Sequence, residues 1–189
     1  MNKLLQFLCI ALLATSITVF AATASPEKVA AEYFRTNQNE GLAATAPFMH
    51  TDALVSFKKK LAPIFESEAK QANPRITQAI LGPGATFATY TNASPFKVMQ
   101  SFMNLAEAVS QTVDLKYTRF ELLGTVTEGD VRHVLARVSL ASTNGSNTRM
   151  QVISLKLDRD EWKVLVTSEL NGMAEGFISA AAKEQKGAH

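Results

Sequence analysis

Cysteine is nearly absent. The single one, Cys9, falls inside an apolar N-terminal run, so the remainder of the chain has neither a disulfide framework nor thiol chemistry. Histidine is almost as scarce. His50, His133 and His189 are the only imidazoles, with no HExxH-type spacing, so no metal is expected. No glycine-rich loop follows a strand, and no nucleotide cofactor is expected. The G-x-S-x-G elbow of a hydrolase is missing too. Charge of one sign is lacking as well: 19 Lys and Arg against 17 Asp and Glu leave +2, too balanced to argue for nucleic acid. These absences exclude several classes of function without selecting one.

The N-terminus carries Lys3, an apolar run from Leu4 to Ala21, then Ala22-Thr23-Ala24. One positive charge, an apolar core and an A-x-A site make a secretory signal peptide cleaved after Ala24. The mature protein is expected in the periplasm or the medium, off the membrane once the signal is removed. The alternative is a retained anchor, because the run approaches the ~18–20 residues needed to span a bilayer. Removing residues 1–24 from 189 leaves 165, one domain by size. We divide the chain into a signal over 1–24, a domain over 25–170, and a C-terminal helix and tail over 171–189.

The first part of the domain has helical periodicity. Ser25-Pro26-Glu27 reads as N-cap, first helical position and acidic first turn. Val29, Ala30, Tyr33 and Phe34 then mark one face, and Asn39-Glu40-Gly41 ends it. A short helix is expected over 42–49. A third, capped by Thr51-Asp52, carries the stripe Leu54, Phe57, Leu61, Ile64 and Phe65. Lys58, Lys59 and Lys60 read as its solvated face. Residues 71–94 are rich in breakers and read as a long connection, lid-like or partner-facing, with a turn of helix over 76–81. Ser94-Pro95 opens a further helix through Ser110, apolar on two sides and therefore sandwiched.

From Lys116 to Thr167 the pattern changes to β-branched and aromatic residues punctuated by TEGD, TNGSN and DRDE. Four strands joined by hairpins follow. Pairing Thr127 with Asp130, placing Asn144-Gly145 at the second tip, and pairing Asp158 with Glu161 assigns the faces. The inner face then holds Leu123, Val134, Ala136, Val138, Leu140, Ile153, Leu155, Leu157, Trp162, Val164 and Val166, with Tyr117, Arg119, Glu121 and Gln151 as its polar members. The outer face holds Phe120, Leu122, Leu135, Val152 and Leu165 among His133, Arg137, Lys156, Lys163 and Glu169. Its apolar patch calls for cover, either by the C-terminal helix through Met173, Phe177 and Ile178, or by a second copy of the chain. Helices followed by an antiparallel meander make an α+β fold. N-terminal helices pack on one face of a curved four-stranded sheet, with a C-terminal helix after it.

The segments SPEKVAAEYF, NEGLAATAPFMHTDALVSFKKKLAPIFE, LLGTVTEGDVRHVLARVSL and VISLKLDRDEWKVLV together resemble the nuclear transport factor 2-like superfamily, in particular exported bacterial members of no assigned function. The resemblance covers most of residues 26–170 and rests on patterns rather than a catalytic motif. It implies a cone-shaped sheet around a long helix, a mouth that holds a small apolar ligand, and dimerisation through the outer sheet face. The family's enzymes place Asp, Tyr or His inside the cone, and no such set matches here.

Tyr33, Tyr117, Arg119, Glu121 and Gln151 are the expected ligand-binding residues. Glu121, read as pointing inward, is either a desolvated general base or half of an ion pair with Arg119. His50 beside Asp52 is either an acid–base pair or a cap. His133, read as opposite Gly124 on the outer face, suits a partner contact. The primary expectation is a non-catalytic binding or interaction domain for a small apolar ligand or a partner protein. The alternative is an isomerase- or dehydratase-like enzyme using Glu121 with Tyr33, Tyr117 or His50.

Overall fold

The structure, a computed structural model, describes residues 24–112 and 114–187. The leader up to Thr23 and His189 lie outside the described residues. Helix α1 spans Pro26–Glu40, with the Lys28 amide donating to the Ser25 hydroxyl at 3.3 Å and Pro26 at the first helical position. A 3-10 turn, Ala43–Phe48, takes the place of the short helix expected next.

Helix α2, Thr51–Lys70, buries Ala53, Phe57, Leu61, Ile64 and Phe65. Its cap is His50 rather than Thr51-Asp52. The His50 Nδ1 accepts from the Asp52 amide at 3.0 Å, and its Nε2–H donates to the Leu157 carbonyl at 3.2 Å. Thr51 is already helical and gives its amide and hydroxyl to Asp158, at 3.0 and 2.5 Å. The start of α2 is thus fixed by a hairpin distant in sequence. His50 is buried, and both its ring nitrogens are in hydrogen bonds with the backbone.

The long connection is not loose. It forms α3, Arg75–Leu81, and α4, Phe87–Asn92. Buried Glu68 accepts from the Ile76 amide (2.5 Å), the Thr77 amide (2.7 Å) and the Thr77 hydroxyl (2.8 Å), meeting the orphan donors at the start of α3. Tyr90 stacks on Phe65 at 4.0 Å and donates to the Lys58 carbonyl. The Lys58 ammonium in turn binds the Thr91 and Ala93 carbonyls. Lys60 binds Asn171 and Glu175, so of the three lysines only Lys59 is a solvated face. Helix α5, Pro95–Thr112, is buried through Val98, Met99, Phe102 and Met103, while Val109 near its end is exposed. Its sandwiching is confined to the first half.

The sheet runs β1 Lys116–Glu128, β2 Val131–Ser142, β3 Gly145–Asp158 and β4 Glu161–Val164, antiparallel and in chain order. The third hairpin pairs Asp158 with Glu161 as expected. The first closes at Glu128 and Val131, the second at Ser142 and Gly145. Each differs from the expected closure by a full pair, which keeps every side chain of β2 and β3 on its assigned face. Strand β1 departs from the expectation. Register shifts between Tyr117 and Arg119, and again between Leu122 and Gly124, insert Thr118 and Leu123 as bulges. The first shift inverts the alternation and the second restores it. Phe120 and Leu122 therefore face inward, paired with buried Val138 and Ala136, and Phe120 stacks on Phe34 at 5.4 Å. Arg119 and Glu121 face outward.

Helix α1 lies on the inner face, against β1, β2 and β4, and α2 and α5 pack on one another behind it. Helix α6, Ser168–Gly187, does not cover the outer face. Phe177 meets Phe102 edge-on at 6.1 Å, and Lys60 holds Glu175 at 2.8 Å, which places α6 in the helical layer beside α2 and α5. Leu165, expected outside, packs against the core; Leu157, expected inside, is exposed at the end of the sheet. No described helix is long and apolar enough to cross a membrane.

Candidate functional site

Where α1 and α5 both end, they stop short of the inner sheet face and leave a cleft of about 860 Å³. Asn37 to Leu42 form one wall, and Glu107, Ser110, Gln111, Asp114 and Leu115 another. Tyr117, Leu140 and Arg149 form the sheet side, and Glu169, Leu170 and Met173 of α6 close the end. Gly41 makes the corner possible. Its φ of 94° is in the region that favours glycine, and a Cβ there would fall onto the Glu107 carboxylate. Glu107 also accepts from the Ala43 amide at 3.2 Å, tying α5 to the turn after α1.

Glu169 is the polar hub. Its carboxylate accepts from the Tyr117 hydroxyl at 2.9 and 2.8 Å and from Gln151 Nε2 at 2.6 Å, and it pairs with Arg149. Three donors on one carboxylate fix the sheet to the first turn of α6. Gln151 is buried, and its Oε1 has no hydrogen-bond partner among the described residues. Tyr33 lies deeper. Burial pushes its phenol up to about 12, opposed by hydrogen bonds with Thr45 and Thr167. Burial also raises Tyr117 to about 12, with Tyr33 adding to the rise and Arg149 and Gln151 opposing it. Both phenols stay neutral donors at ordinary pH.

Of the residues expected to bind ligand, Tyr33 and Tyr117 line the cleft and Gln151 joins them through Glu169. Arg119 and Glu121 are not there. Glu121 pairs with Arg137 at 3.0 Å rather than with Arg119, and its side chain is 45% exposed. A carboxylate so solvated is not the dry general base that the isomerase-like alternative requires. His133 sits opposite Val126, not Gly124. Its Nε2–H donates to Glu128 at 2.9 Å and its Nδ1 accepts from the Ser154 hydroxyl at 2.8 Å. That order of Ser, His and carboxylate matches a nucleophile, a base and its orienting group. None of the three lines the cleft, however. Ser154 lies on β3 between β2 and β4, and its carbonyl accepts from the Leu165 amide.

Arg149, Glu169, Glu107 and Gly41 were not foreseen. Arg149 shares parity with Gln151 on β3, so the signal was present. Glu169 was assigned to the outer face by counting on through the last strand. The chain leaves the sheet after Val164, and Thr167 caps α6, its hydroxyl accepting from the Leu170 amide at 3.3 Å. The sequence Thr167-Ser168-Glu169 carries that helix start in its residue types. Among the described residues no three His, Asp or Glu side chains converge as metal ligands. No protein-family model, curated protein or solved structure matches this chain.

Proposed function

We propose that the chain is an exported, non-catalytic binding domain of the nuclear transport factor 2-like kind, and that the cleft is its ligand seat. The observation that carries this reading is the cleft itself, whose size lies in the range of small-molecule sites. Leu42, Leu115, Leu140, Leu170 and Met173 offer an apolar body contact, and the Glu169 cluster offers orientation. Export rests on the leader sequence, and N-terminal sequencing of the exported protein should begin at Ser25. Native mass spectrometry of protein recovered from the exporting cell should show a bound small molecule. Leu140→Trp, which fills the cleft, should lose it, and Val152→Trp on the outer face should keep it. An adduct absent from the parent protein, or retained by Leu140→Trp, would contradict the assignment.

A second surface favours a protein partner. Val126, Met150 and Val152 on the outer face are 56%, 55% and 46% exposed, and α6 does not cover them. We propose that a second copy of the chain packs there, with the Glu121–Arg137 pairs flanking the apolar strip. Sedimentation at rising concentration should show a dimer that Val152→Lys abolishes. A parent protein that stays monomeric throughout would remove this reading.

A further inference from the structure

The charge of the cleft selects a class of ligand. Four carboxylates line it, from Glu40, Glu107, Asp114 and Glu169, against two cations, Lys116 and Arg149. Both cations are already neutralised, Lys116 by Asp114 at 2.6 Å and Arg149 by Glu169. Glu40 and Glu107 remain with no cation paired to them among the described residues, a surplus of two negative charges. The backbone adds to it. Helices α1 and α5 both point their C-terminal ends at the cleft, and neither carries a basic residue in its last turn. Each such end presents about half a negative charge through its free carbonyls. One opposing helix end is present, the start of α6, and Glu169 in its first turn offsets it.

Gln151 is 5% exposed, its Nε2 is held on Glu169, and its Oε1 has no donor. It meets the cleft only through Glu169, which Tyr117 and Arg149 of the lining also share. The unpaired carboxylates and the helix C-termini favour the same group, a cation that donates hydrogen bonds.

We infer that the cleft takes an organic ammonium ligand, its alkyl body on Leu115, Leu140 and Met173 and its head between Glu40 and Glu107. The inference rests on the ligand-seat reading and gives it a chemistry. Octylammonium, octanol and octanoate share one chain and differ in the head, and calorimetry on the mature protein separates them. Octylammonium should bind about tenfold tighter than octanol, as two partly solvated charge contacts imply, and octanoate weakest of the three. The preference should shrink as salt rises. Glu40→Gln with Glu107→Gln should level octylammonium with octanol and leave octanol unchanged, while Glu121→Gln on the outer face changes neither. Octanoate binding as tightly as octylammonium would overturn the ammonium assignment and leave the ligand seat standing. If none of the three binds, both fall.

Discussion

The two faces of the sheet are built from the same strands and do opposite things. The inner face is closed by side chains. Val134, Ala136, Val138, Ile153, Leu155 and Val164 have no exposed surface, and α1 lies across them. Where the helices end, that face turns polar within two residues, from Ile153 to Gln151 and Arg149, and the cleft begins. Among the described residues, no helix is layered over the outer face. Its apolar residues stand among ion pairs, Glu121 with Arg137 and Lys156 with Asp130, and its hydroxyls bond locally. On our proposal, the inner face holds something small at its one polar corner. The evenly half-apolar outer face is proposed to meet another surface.

Truncation should separate the faces most strongly. Phe34→Ala removes a ring that touches Tyr33, Tyr117 and Phe120, and should cost about 3–5 kcal/mol in denaturant unfolding. Phe120→Ala, half-buried on the same cluster, should cost about 2–3 kcal/mol. Val152→Ala on the outer face should stay within about 0.5 kcal/mol. Equal losses at Phe120 and Val152 would mean that the bulges do not turn β1 as described.

Glu169→Gln comes next. It leaves Arg149 without its partner beside two neutral donors, and should cost about 1–3 kcal/mol through lost charge-assisted bonds. Glu121→Gln, breaking a solvated pair, should cost less than about 1 kcal/mol.

The pH response is smaller and has a fixed sign. The folded phenols of Tyr33 and Tyr117 lie at about 12, above the ordinary 10.0. Between those values the unfolded chain loses protons that the folded chain keeps, so stability is fully present below pH 10 and falls as pH rises toward 12. Tyrosinate absorbance should therefore appear together with unfolding. Tyrosinate that appears near pH 10 in the still-folded protein would contradict the burial. The smallest expectation is an absence of reaction. A fluorophosphonate should leave Ser154 unlabelled, and labelling that His133→Ala abolishes would make the outer face catalytic.

The α+β order, the start of α1 and the partition of β2 and β3 were legible, because strict alternation and capping residues encode them locally. Strand β1 was not. A bulge leaves no mark in the alternation except a break, and Tyr117-Thr118-Arg119 and Leu122-Leu123-Gly124 each read equally well as unbroken strand. Two inversions that cancel hide more completely than one, since the residues on either side agree with the simple count. That is why Tyr117 and Gln151 do lie on the inner face while Glu121 and Arg119 do not. The cap of α2 was hidden for a different reason. It depends on Asp158 and on the Leu157 carbonyl, contacts made only after the last hairpin has folded back. Likewise the lysines of α2 read as surface because Thr91, Ala93 and Glu175 are distant in sequence.

The account turns on which face receives the small molecule, and amide chemical shifts read that residue by residue. Titrating octylammonium into the mature protein should move the amides of 37–42, 107–112, Arg149 and 169–173, and leave Glu121, Arg137, Met150 and Val152 in place. Shifts confined to those four outer residues, with the cleft silent, would contradict it.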